Sequence, residues 1–398
     1  MSVAIDQNAL RGLSISAAAQ RLRDYNWIAG RAVKTLSGWF LRLANYEHKY
    51  VLAYHLYDNS EHATWFRQRL AEMRGGNPNA NIRPELREIC DAVAGAPSDA
   101  AFLAGYYGVL QRAVIAAIHQ DLARLDESGN ANEKRVFGRA LHDLEQQQQW
   151  FVSLGLDWES LPWVKELESF IESMGGLHSE HPTGDVYHIK EYRQFIRPTK
   201  IVFDDRIERK PLHLYDDRQK MDPKDATIEQ FKVFFNEFYA AALLASILFD
   251  ASDGNYPWDM LADFSRHFWD EVRHSEFGCI RLRELGHEPD RVNPVLFEES
   301  HGLPLLHRIA YLTRGLEAYF MPRKGKRMKE YEKTGDLRSQ LFADQDWSDE
   351  INHVRYGSRW TDFLLQDDHR ELDDIIDEVK DHLSQVRGVK VETINAPF

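Results

Sequence analysis

Four glutamates and two histidines in the C-terminal half of this 398-residue chain have the types and spacing of a metal site. Glu237 stands 34 positions before Glu271, which opens Glu271-x-x-His274, and Glu317 stands 33 before Glu350, which opens Glu350-x-x-His353. One helix, a turn and half of a second helix take up that separation, so the pattern reads as a two-helix unit used twice. Residues three apart share a helix face, so each Glu-x-x-His pair can chelate. Carboxylates with one imidazole per cation suit iron(II) or manganese(II) and leave coordination positions for oxygen, peroxide or water. Glu271 and Glu350 can bridge two cations while Glu237 and Glu317 are terminal, which makes the expected centre dinuclear. The expected cofactor is two iron ions, with manganese or a mixed manganese/iron pair as substitutes.

The repeated context carries this reading, because a single Glu-x-x-His is weak. The chain has four such pairs. Glu284-x-x-His287 falls where a helix is ending and Glu298-x-x-His301 falls in a loop, and neither has a partner Glu placed to join it. Asp270 and Asp349 each stand four residues before a ligand histidine on the same helix face. They are expected to accept an imidazole N–H, in their own half or across the site, and so fix the tautomer. Arg273 is expected to pair with such an Asp and relieve buried negative charge. His267, one turn before Glu271, is a candidate seventh ligand or proton carrier, against the alternative of a packed, hydrogen-bonded neighbour.

Helices must position these groups, and the apolar periodicity reads as all-α. The expected divisions are an N-terminal helical domain over 1–155, a linker or lid with extended segments over 156–224, the metal-bearing bundle over 225–366, and a C-terminal helix and tail over 367–398. Residues 1 to about 30 read as an arm packed on the body. A helix over 31–57 is expected to end at Asp58-Asn59-Ser60, which can cap the next over 61–74, with further helices over 99–126 and 132–154. Glu47 and Glu145 make this half a candidate degenerate repeat of the second. Gln148 stands where a His is needed and Ile115 where a Glu is needed, so no dinuclear centre is expected there. Glu47, His55, His62, His142 and Glu145 remain candidates for a mononuclear site. Residues 185–209 alternate as in one or two strands or an extended crossover. The nearby His178, His181, His188 and His213 lack ligand spacing. In the second half, helices are expected from about 225 to 249, to 285 after the Gly254-Asn255-Tyr256-Pro257 turn, over 304–332, from about Asp349 to 366, and over 371–386.

The formal charge of -14 opposes nonspecific binding to nucleic acid or an anionic membrane surface. Arg323-Lys324-Gly325-Lys326-Arg327 reads as a solvated helix end, with docking of an acidic partner or substrate as the alternative. The start of the chain lacks the basic and continuous apolar regions of a signal peptide, and the expected location is the cytoplasm. Cys90 and Cys279 lie far apart without CxxC spacing and read as buried, inert thiols.

The six-ligand pattern over 225–366 resembles the ferritin-like superfamily of non-haem diiron carboxylate proteins, in which a four-helix bundle supplies Glu, Glu-x-x-His, Glu and Glu-x-x-His. Asp270-Glu271-Val272-Arg273-His274 also looks like the Asp-Glu-x-Arg-His segment of the bacterial multicomponent monooxygenases. Asn352 departs from that segment, and Met321 stands where those enzymes tend to carry Thr. The resemblance implies a ferritin-like bundle that activates O2 as co-substrate, an oxygenase or oxidase acting on a small organic substrate. A ferroxidase or a manganese-type peroxide-detoxifying protein is the alternative. No flavin or nicotinamide fingerprint is evident, so the expected electron source is a separate reductase or ferredoxin, or the substrate itself. A homodimer is compatible with this reading.

Overall fold

The computed structural model describes residues 12–177, 187–189, 192–213, 215–366 and 368–393. Apart from one pair of two-residue strands, the described regular structure is helical. The chain divides into two compact units, Met1–Thr35 with Asp58–Ile196 and Leu36–Tyr57 with Arg197–Phe398, so the division is discontinuous in sequence rather than a single cut near 155.

The first unit takes the N-terminal part of α1 (Ile15–Arg42) and the C-terminal part of α2 (Tyr46–Glu72). The described part of the expected arm is therefore continuous with the helix that follows it. The break expected at Asp58-Asn59-Ser60 is also absent, because α2 runs through it. Asp58 accepts a hydrogen bond from Gln147 Nε2 at 2.9 Å and Asn59 donates to the Tyr106 hydroxyl at 3.2 Å. Side chains bound to tertiary partners no longer compete with the helix backbone. The chain turns instead at 43–45, where Asn45 Oδ1 accepts from the His48 amide at 2.8 Å and serves as the cap. A helix not anticipated, α3 (Pro84–Ala94), starts on a proline and buries Leu86, Ile89 and Val93. Then α4 (Asp99–Leu103), a π-helical segment (Ala104–Gln111) and α5 (Arg112–Arg124) form one continuous stretch, followed by α6 (Ala131–Ser153) and α7 (Pro162–Ser173).

In the second unit, strand structure is confined to β1 (Glu208–Arg209), which lies parallel to β2 (Arg291–Val292) with Glu208 opposite Arg291. The described residues just before β1 form no helix or strand, and the Val202 amide donates to the Leu41 carbonyl at 2.8 Å. His188 and His213 are exposed, while His178 and His181 lie outside the described residues. After α8 (Tyr215–Arg218), Asp222 caps α9 (Pro223–Asn236), and α10 (Phe238–Ala251) follows after a single-residue interruption at Glu237. Next come α11 (Trp258–Glu284), α12 (Val295–Ser300), α13 (Leu305–Ile309), a second π-helical segment (Ala310–Glu317) and α14 (Ala318–Thr334). The helix expected to start near Asp349 begins twelve residues earlier: α15 (Leu337–Leu365) is capped by Asp336, whose carboxylate accepts from the Ser339 amide. α16 (Leu372–Arg387) closes the unit behind a capping box of Glu371 and Asp374.

α11 packs against α9, α10 and α15, and α14 packs along α15. The α9–α11 approach depends on Gly278, where a Cβ would sit 2.2 Å from the Phe235 nitrogen. Two stretches, Asp99–Arg124 and Pro223–Ala251, have the length and apolarity to cross a membrane, and 78% of each apolar window is buried inside the protein.

Candidate metal centre

The inward stripe of α11 carries His267, Glu271 and His274 at helical spacing between Phe264, Phe268 and Gly278, all buried. α15 contributes Asp346, Glu350 and His353 at four- and three-residue steps, so the three share one face. Glu317 ends the second π-helical segment, whose wider turn resets the side-chain register ahead of α14. Glu237 occupies the interruption between α9 and α10 with φ -60 and ψ -10. His274 and His353 are fully buried, and the side chains of Glu271, Glu350 and Glu317 are only 2%, 4% and 7% exposed. So many buried carboxylates are strongly unfavourable unless cations meet them.

The structure brings all six expected ligands together. His353 Nδ1 lies 3.2 Å from Glu271 Oε1 and 3.8 Å from Glu350 Oε2, and His274 Nδ1 lies 3.2 Å from Glu237 Oε2 and 3.9 Å from Glu271 Oε1. Each of the six contributes one buried atom without a hydrogen-bond partner: Glu237 Oε2, Glu271 Oε1, His274 Nδ1, Glu317 Oε2, Glu350 Oε2 and His353 Nδ1. Donor atoms that converge yet do not align with one another are what a shared cation requires, and they fit one. His267 belongs to the same cluster, with Nε2 2.8 Å from Glu317 Oε1 and its ring stacked on His353 at 3.7 Å. Among the described residues, groups of three or more converging His, Cys, Asp or Glu atoms occur only here.

The two aspartates serve across the site. His274 Nε2 faces Asp349 Oδ2 at 3.2 Å, and His353 Nε2 faces Asp270 Oδ2 at 3.4 Å, so each Asp holds the histidine of the other helix and turns its Nδ1 inward. Arg273 Nη1 bridges both, 2.5 Å from Asp270 Oδ1 and 3.2 Å from Asp349 Oδ2. Arg266 donates to Asp270 at 2.9 Å, and both guanidinium groups lie over the Trp269 ring.

Three participants escaped the sequence reading. Asp346 Oδ1 is 3.5 Å from His274 Nδ1, and the signal for it was its place four residues before Glu350 and seven before His353. Lys324, two turns after Glu317, donates to Asp346 Oδ1 at 2.6 Å and Glu350 Oε1 at 2.5 Å, and Arg266 stands one turn before Asp270. The basic run at 323–327 is thereby corrected: it lies inside α14, and Lys324 is buried because α14 packs along α15 and aims it at the carboxylates.

Burial pushes the Glu237 carboxyl up to about 7, and the nearby Lys324 offsets only part of that. Burial also opposes a charged His274, but the carboxylates of Asp349 and Glu237 outweigh it and raise the imidazole well above its usual value. Asp270 and Glu271 do the same for His353. Without metal, the imidazoles thus keep protons that a cation would have to displace.

A cleft of about 560 Å³ reaches Glu237, Glu271, Glu317 and Glu350. Ala240, Leu312, Leu316 and Phe320 give it apolar lining, and Arg323 and Arg327 add positive charge. Tyr319 lines it and is half exposed, whereas Tyr311 is fully buried.

The first-half candidates for a mononuclear site are engaged separately. His62 Nε2 faces Asp143 at 3.0 Å, Glu145 faces His119 at 3.1 Å, His142 accepts from Gln146 at 2.8 Å, and Glu47 pairs with Arg206 at 3.1 Å. His55 is buried and belongs to none of the converging groups.

Residues 206–398 match a family described as a protein of unknown function (DUF455). That span contains every residue of the cluster. No curated protein and no solved structure matches the chain.

Proposed function

We propose that this chain is a non-haem, carboxylate-ligated metal oxidoreductase, an oxygenase or oxidase that uses O2 on a small organic substrate, built on a ferritin-like four-helix bundle. The observation that carries this is the set of six unpartnered donor atoms, one from each of Glu237, Glu271, His274, Glu317, Glu350 and His353, gathered in overlapping groups. Glu271 would be shared, with Glu317 and His353 completing one cation position and Glu237, His274 and Glu350 the other. Iron(II) held there would pass electrons to O2 and would be re-reduced by a separate reductase or ferredoxin, or by the substrate itself. The chain's own residues do the rest. Asp349 and Asp270 hold the Nε2 protons of His274 and His353, so that the Nδ1 lone pairs stay directed inward. The apolar wall of Ala240, Leu312, Leu316 and Phe320 binds the substrate body and keeps water from the centre. A cleft of about 560 Å³ is room for an organic molecule, more than peroxide or a ferrous ion needs.

Anaerobic loading with Fe(II) followed by O2 tests the reading. Oxygen uptake by the wild type, lost in Glu317→Gln, is expected. Iron-loaded protein that takes up no O2 refutes it, and rapid O2 evolution from peroxide without organic substrate shifts the assignment to the detoxifying class.

A further inference from the structure

Lys324 is the one Lys or Arg among the described residues whose charge reaches the ligand carboxylates themselves. Its Nζ lies 2.5 Å from Glu350 Oε1, 2.6 Å from Asp346 Oδ1 and 3.6 Å from Glu237 Oε1. Only 6% of the residue is exposed. Gly325 lets this happen: a Cβ there would be 3.0 Å from Trp347 Cζ2, so the helices stay close enough to deliver the preceding side chain to α15. Arg327 adds a second positive group 3.7 Å from Asp346 Oδ2.

The charge is therefore distributed unevenly. Glu237, Asp346 and Glu350 share an ammonium already. Glu271 and Glu317 have only imidazoles within ion-pair distance among the described residues. Glu350 has one oxygen committed to Lys324, which leaves Oε2 for a metal and makes Glu271, lying between His267, His274 and His353, the better bridge.

We propose that Lys324 is a built-in counter-cation that makes the two metal positions unequal. The Glu271/Glu317/His353 position fills first and firmly. The Glu237/His274/Glu350 position takes a divalent ion second and weakly, because that ion must work against a buried ammonium. Lys324 is a positioning residue in this role, and the inference rests on the metal-centre reading above.

Equilibrium dialysis of the full chain against Mn(II), with metal analysis and electron paramagnetic resonance, tests it without reference to turnover. The wild type is expected to bind one Mn(II) as an isolated ion, and a second only at roughly 100-fold higher free Mn(II), with spin coupling appearing then. In Lys324→Met the gap should shrink to about tenfold or less, while Lys324→Arg keeps it. Glu317→Gln should abolish the firm site and Glu237→Gln the weak one. That pair of variants decides the order even if Lys324→Met fails to fold. Two equal sites in the wild type, an unchanged gap in folded Lys324→Met, or the reverse assignment from the glutamine variants would overturn the inference and leave the metal centre standing. Failure of every form to bind Mn(II) or Fe(II) would overturn the metal centre itself.

Discussion

Glu237→Gln should stabilise the metal-free protein at pH 8 and reduce the stability gained on metal loading. Burial moves the Glu237 carboxyl from 4.5 up to about 7. A carboxyl raised in the folded state gives its full contribution to stability below the unfolded value, near 4.5, and loses it as pH rises through about 7. At roughly 1.4 kcal/mol per unit, the metal-free wild type loses up to about 3 kcal/mol from this group between pH 4.5 and pH 8. Its side chain keeps 18% exposure, which favours the lower part of that range, about 2 kcal/mol. Glutamine cannot ionise and lacks this slope. In EDTA, the urea-unfolding free energy of the variant should therefore match the wild type at pH 5 and exceed it by about 2 kcal/mol at pH 8. With Mn(II) at about a hundred times its dissociation constant the wild type should gain about 2.7 kcal/mol, a gain the variant, short of a ligand, should show only in part. A difference between the two proteins in EDTA that stays constant from pH 5 to pH 8 would refute the argument that a buried, only partly compensated charge sits at this position.

Two further outcomes follow from packing and burial. Gly278→Ala should destabilise by about 3 kcal/mol in urea unfolding, because its new methyl would meet the backbone of Phe231 and Phe235 and force α9 from α11; a loss under about 0.5 kcal/mol would show that these helices are free to separate. Burial pushes His55 from 6.5 down to about 3. A depressed imidazole contributes stability above pH 6.5 that is lost as pH falls toward 3, by up to about 1.4 kcal/mol per unit, so His55→Gln should flatten the acid limb of the stability curve, and an unchanged limb would sink the assignment.

Much of the centre was legible because helical spacing alone determines which side chains share a face. Glu271 with His274 and Glu350 with His353 needed only that rule, and so did the placing of Asp270 and Asp349 one turn before each histidine. What spacing along one helix does not encode is the partner across the gap. The crossed pairing of Asp270 with His353 and Asp349 with His274 depends on how α11 and α15 pack. The burial of Lys324 depends on Gly325 meeting Trp347. The same cause explains the misplaced helix break. Asp58-Asn59-Ser60 is locally a good cap, and tertiary hydrogen bonds to Gln147 and Tyr106 outweighed that local preference.

In the first unit, inward glutamines satisfy one another by hydrogen bonds. Gln111 donates to Gln147 Oε1 at 2.5 Å, Gln147 donates to Asp58 Oδ2 at 2.9 Å, and Gln148 donates both to Gln111 Oε1 at 2.7 Å and to the Tyr107 carbonyl at 2.6 Å. An amide carries donor and acceptor together, so such a chain can close on itself with a single acid and no metal. Carboxylates can only accept, and imidazoles held by an outer aspartate through Nε2 turn Nδ1 inward. A cluster of those two groups stays incomplete however well it is packed, and the unpartnered atoms of Glu237, Glu271, His274, Glu317, Glu350 and His353 are that incompleteness in the second unit. A single Gln148→His substitution in the first unit should recruit no metal, because among the described residues no group of converging His, Cys, Asp or Glu atoms lies beside it.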